Sequence, residues 1–144
     1  MTYLDIIEKF KAYFEQNKLI ARVENEDLNS FDLDKSGAYP LALFYVDSVG
    51  LNSPTNTFTI QLLILDILDV NNESDQDNED YIWNQSLAII NNLQQSLRRG
   101  DLFEDRLQLT EVVTPERFSD RFNGGLAGWG VQFNLIAPNE MTIC

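Results

Sequence analysis

The run "TFTIQLLILDILDV" (Thr57 to Val70) limits the possible folds more than any other part of the chain. Read as a strand, Phe58, Ile60, Leu62 and Ile64 line one face, and Leu63, Leu65 and Ile67 place apolar groups on the other. A strand apolar on both sides belongs in the middle of a sheet or under cover on both faces. Just before it, "YPLALFYVDS" has the β-branched and aromatic content of a second strand, with Pro40 confined to its start or to an edge. The connection "VGLNSPTN" carries Gly50, Pro54 and Asn56, so the pair reads as a long antiparallel hairpin.

The other elements follow from periodicity. In "TYLDIIEKFKAYFEQNK", Tyr3, Ile6, Ile7, Phe10, Tyr13 and Phe14 recur at spacings of three and four, which predicts an amphipathic helix ending near Asn17. Thr2 and Asp5 stand at capping-box spacing, with Asp in place of the usual Glu. A second helix is predicted over "YIWNQSLAIINNLQQSLRRG", with Ile82, Trp83, Leu87, Ile90, Leu93 and Leu97 as its stripe and Gly100 as its left-handed stop. Arg98 and Arg99 complement the dipole at its end, which accounts for the one basic pair. Leu19 to Leu28 predicts a short strand and a polar turn, Asn29 to Gly37 a loop, and Arg106 to Val113 a further strand. After a loop "TPERFSDRFNGG", residues Ala127, Trp129, Val131, Phe133 and Leu135 alternate with Gly128, Gly130, Gln132 and Asn134, the period of a half-buried strand, until Pro138 ends it. The expected fold class is α+β: one domain over 1–144, with an antiparallel or mixed β-sheet, a long hairpin and two helices packed on one face.

Composition narrows the chemistry. The chain has no histidine and a single cysteine, Cys144, its last residue, so histidine bases, disulfides and thiolate zinc sites are not expected. Ten basic against 23 acidic residues give a net charge of −13, unsuited to binding nucleic acid or anionic lipid. That charge means either simple solubility or a surface that passing nucleic acid must not stick to. No apolar run is long enough to span a membrane, and no secretory signal is read at the N-terminus.

The polar run "NNESDQDNED" invites comparison with a calcium loop: Asp69, Asn71, Glu73, Asp75, Asp77 and Asp80 fall at positions 1, 3, 5, 7, 9 and 12. The required glycine is Ser74, the bidentate Glu is Asp80, and a strand precedes the run, so no metal and no cofactor are expected. Asp75, Asp77, Glu79 and Asp80 are taken instead as an acidic surface leading into the helix. Asp66 interrupts an apolar strand and is the carboxylate most suited to partial burial, although with 23 acids chance pairs are unavoidable and a structural role is favoured. Asn123-Gly124-Gly125 accepts positive φ and predicts a turn or bulge. Gly128 and Gly130, flanking Trp129, leave bare backbone on one face, which marks a bulge, an aromatic side chain lying across it, or close approach by another chain. Phe118 and Phe122 stand in a segment otherwise polar, as anchors for an interface or tucked into the core.

The "YLDIIEKFKAYF" helix, the long hairpin, the helix after a polar run and the ending "PERFSDRFNGGLAGWGVQFNLIAPNE" together resemble the tail-terminator and neck (tail-completion) proteins of tailed bacteriophages. The ending, with "LAGW", a regular strand and a closing "PN", carries most of that likeness. The resemblance implies a non-enzymatic virion protein, assembled in the host cytoplasm, whose copies close into a ring, often a hexamer, on the tail tube or between tail and head. It implies partners in tail-tube and neck or connector proteins, DNA passing through without specific binding, and no membrane. Ring surfaces would fall on the connection Val49 to Thr57, with Leu51 and Pro54, and on Pro115 to Gly125, with Phe118, Phe122, Gly124 and Gly125. Gly128 and Trp129 adjoin the second surface. The competing reading is a monomeric acidic binding module, such as an inhibitor that mimics DNA with carboxylates.

Overall fold

The doubly apolar run lies where its composition requires. Residues 2–27, 38–52, 54–68, 78–100, 109, 111–120 and 125–139 are described by the structure, a computed structural model. Its elements are α1 (Tyr3–Glu15), β1 (Arg22–Asn25), β2 (Leu41–Leu51), β3 (Thr55–Ile67), α2 (Glu79–Arg99), β4 (Glu116–Asp120) and β5 (Leu126–Pro138). The strands form one five-stranded sheet in the order β1-β2-β3-β5-β4, with β3 at its centre. β1 pairs parallel to β2, and every other pairing is antiparallel, so the sheet is mixed and the fold is α+β.

Register sorts the side chains into two faces. The rows Ala42–Ile64–Trp129, Phe44–Leu62–Val131 and Val46–Ile60–Phe133 face the helices. There they join Ile6, Phe10 and Phe14 of α1 and Ile89, Ile90, Leu93 and Leu97 of α2 in one core, which puts both helices on the same face. Phe10, Phe14 and Phe44 meet pairwise with ring centroids 5.8 to 6.3 Å apart. Each fully buried phenylalanine contributes about 1.5–3 kcal/mol relative to exposure. The opposite face carries the rows Leu41–Leu65–Gly128–Phe118 and Leu43–Leu63–Gly130–Glu116, of which Leu41, Leu43 and Leu65 are buried as well. Towards the hairpin end this face turns polar: Gln61 donates to Gln132 over 2.8 Å and Thr59 to Asn134 over 2.9 Å.

The start of α1 and the end of α2 follow their chemistry. The Asp5 N–H donates to Thr2 Oγ1 while Asp5 Oδ2 accepts from the Thr2 N–H, a complete capping box. Gly100 ends α2 with φ of 76°.

The structure corrects several expectations. The hairpin strands run nearly to the turn, reaching Leu51 and resuming at Thr55, because Asn52 and Pro54 are held by bonds described below. The strand expected over Arg106 to Val113 is absent from its described part: residues 111–113 form no ladder. Arg98 explains this, since its guanidinium donates to the carbonyls of Leu109 (2.9 Å) and Glu111 (2.7 Å), acceptors a ladder would need. A strand also forms in "ERFSD", within the segment read as a loop. It is an edge strand, where charge discourages stray pairing. In α2 the buried stripe takes in Ser86, Ile89 and Ser96, and Leu87 turns outward.

Candidate assembly surfaces

The "PN" at Pro138–Asn139 holds both described flanks of the hairpin turn. Pro54 and Asn139 sit at adjoining ends of β3 and β5, whose register begins at Thr55–Pro138. From there Asn139 donates its backbone N–H to the Pro54 carbonyl and its side-chain amide to the Asn52 carbonyl, both over 2.8 Å. Asn56, wholly buried, accepts from the Asn52 N–H over 3.3 Å, and its Nδ2 has no hydrogen-bond partner among the described residues. The turn is therefore clamped from two strands. On it stand Leu51, 73% exposed, and Pro54, also exposed. These are the two sequence-predicted residues that the structure brings together at one tip.

The glycines serve packing within the chain. Gly125 has φ of 62°, and its carbonyl accepts from the Leu68 N–H over 2.7 Å, which makes it the turn residue before β5. A Cβ on Gly128 would lie 1.7 Å from the Ile64 carbonyl oxygen, so the chain that comes close there is β3 itself. At Gly130 a Cβ would meet Leu63 Cδ1 at 3.1 Å; an aliphatic side chain lies across the bare backbone.

Trp129 belongs to a relay that the sequence did not reveal. Its indole N–H donates to the Trp83 carbonyl over 2.8 Å, and the Trp83 indole donates to the Phe118 carbonyl over 3.2 Å. The Arg117 guanidinium lies 4.7 Å from the Trp83 ring centre, and the Ser119 hydroxyl donates to Glu79 over 2.6 Å. β4 is thus tied to the start of α2, and Phe118, half-buried, sits in a strand rather than a loop. Each bond joins residues far apart in sequence, where the local pattern carries no sign of it.

Of the acidic surface, Glu79 is engaged by Ser119 and Asp80 is exposed in the first turn of α2. Asp75, Asp77, Phe122 and Gly124 lie outside the described residues. Among the described residues no group of three or more His, Cys, Asp or Glu side chains is placed to hold a metal ion. Burial raises the Asp66 carboxyl above its ordinary 3.8, opposed by the hydrogen bond from the Ile67 N–H.

A surface not anticipated from the sequence runs between α2 and residues 112–115. It is a groove of about 520 Å³ whose walls include Leu87, Ala88, Val112 and Pro115, with Asn91 and Arg98 along it. Leu87 is 38% exposed and Val112 88% exposed. The groove exists because Leu87 turns outward and because Arg98 holds the carbonyls that precede Val112. A second hollow, of about 400 Å³, lies on the far face of the sheet among Leu43, Tyr45, Leu63, Phe118 and Gly130. Apolar surface edged by amides is suited to recognising another surface. In comparison with known proteins, no family model and no curated protein sequence matches the chain.

Proposed function

We propose that this chain is a structural protein of a tailed-phage virion, whose copies close into a ring, six-membered by resemblance, that caps the tail tube or joins tail to head. The observation that carries this reading is the clamped hairpin end, which presents Leu51 and Pro54 to solvent from a turn held by Asn139. Holding an apolar tip in one geometry removes the ordering cost that a flexible loop would meet on contact. The net charge of −13 suits a ring through which DNA passes, because acidic walls repel phosphates. Tail-tube and neck proteins would be its other partners, and the virion its final place.

The experiment is electron microscopy of the purified chain, alone and mixed with tail tubes, paired with light scattering. The proposal expects closed rings, free or seated on tube ends. A monomer under both conditions that instead binds a basic protein would overturn it in favour of a charge-mimicking inhibitor.

A further inference from the structure

We propose that the groove between α2 and residues 112–115 receives the β2–β3 hairpin tip of a second copy of the chain. The inference rests on the self-assembly reading above and names the contact that would build the assembly. Two exposed apolar features of one chain, a projecting tip and a groove, lie on different elements and differ in shape. A contact that joins unlike patches is heterologous, and repeated around an axis it closes a ring, whereas a patch that meets itself stops at a dimer.

Charge selects this pairing. With 23 acids against ten bases, most surfaces of two copies would set like charges together. The described walls of the groove hold no acid and include Arg98. The segment 47–57 holds Asp47 and no base. Docking therefore brings the apolar Leu51 and Pro54 against Leu87, Ala88 and Val112, with Arg98 the one charged side chain of the groove's described walls. A space of about 520 Å³ is in the range that takes several side chains of a turn. Arg98 keeps its bonds to Leu109 and Glu111 throughout, so the groove needs no rearrangement to accept the tip.

The test is disulfide trapping in the full chain with Cys144→Ser as background. One preparation carries Leu51→Cys, the other Val112→Cys; both are mixed before assembly, with tail tubes present, and oxidised. The proposal expects a covalent product containing one chain of each kind, at least tenfold more abundant than either self-linked product. Leu51→Asp, at an exposed position, should keep the wild-type melting temperature and raise the concentration needed for assembly at least tenfold. Rings that form without the mixed product, or Leu51→Asp assembling as wild type does, would overturn the groove contact and leave the ring reading standing. No particle larger than one chain, with no mixed product, would overturn both.

Discussion

Replacing Gly128 by alanine should be among the most damaging single-methyl additions the chain can receive. The added Cβ would sit 1.7 Å from the Ile64 carbonyl oxygen and 2.8 Å from the Ile64 carbonyl carbon. Both are backbone atoms of the central strand and cannot rotate away, so β3 and β5 would have to separate by more than an ångström in the middle of their shared ladder. That ladder runs from Thr55–Pro138 to Ile67–Leu126, and the core on its helix side depends on it. A cost of about 3 kcal/mol or more follows, at the upper end of overpacking penalties. At this chain length each kcal/mol lowers the melting temperature by about 2–4 °C, so a drop of about 10 °C is expected. Two other glycines calibrate the experiment. At Gly130 the nearest atom is the mobile end of Leu63, 3.1 Å away, and alanine should cost no more than about 1 kcal/mol. At Gly50 the nearest atom is 3.7 Å away, and alanine should be neutral or stabilise by about 0.4–1 kcal/mol by restricting the unfolded chain. Scanning calorimetry on the three variants checks the order. Gly128→Ala melting within about 2 °C of Gly50→Ala would refute the reasoning, since it would mean that the strands are not that close.

Three further outcomes are expected. Asn139→Ala removes the side-chain bond to the Asn52 carbonyl and should cost about 1 kcal/mol, with hydrogen exchange quickening in residues 50–57; unchanged protection there would contradict the clamp. Trp83→Phe loses the bond to Phe118 and weakens the contact with Arg117, together about 1–2 kcal/mol, and the readout is faster exchange in β4 with β2 unaffected. Asp66→Asn should raise stability at pH 7. Burial lifts the folded carboxyl above 3.8, so the folded wild type holds its proton more readily than the unfolded chain and gains stability as pH falls through the raised value towards 3.8. The variant cannot titrate there, so its advantage in urea midpoint should shrink over that window; a pH-independent difference would contradict the burial.

Elements with strict periodicity were legible in the sequence. Phe58 to Ile67 announced a central strand because two apolar faces leave no solvent side, and β5 announced itself by alternation over Ala127 to Leu135. The capping box at Thr2 and the stop at Gly100 are local, so local sequence suffices to read them. What escaped reading depends on contacts between distant residues. Val112 and Val113 have strand composition, yet the neighbouring carbonyls belong to Arg98. "ERFSD" lacks strand composition, yet Trp83 and Glu79 hold it in place at the sheet edge. The parallel pairing of β1 to β2 leaves no trace in a strand of four residues. Of the surface residues, Pro54 was legible as part of the connection between two strands, and Leu51 was named only through the family resemblance. The groove was not, because Leu87 lies on the helical stripe by spacing and only the placement of α2 against β5 turns it outward.

The working form is held to be an assembly of identical copies, and its mass is the most direct check. Mass photometry of the purified chain over a range of concentrations, alone and on tail tubes, should find a discrete particle of about six times the 16.5 kDa chain. A species of 16.5 kDa at every concentration, which also leaves tube ends bare, would contradict the account.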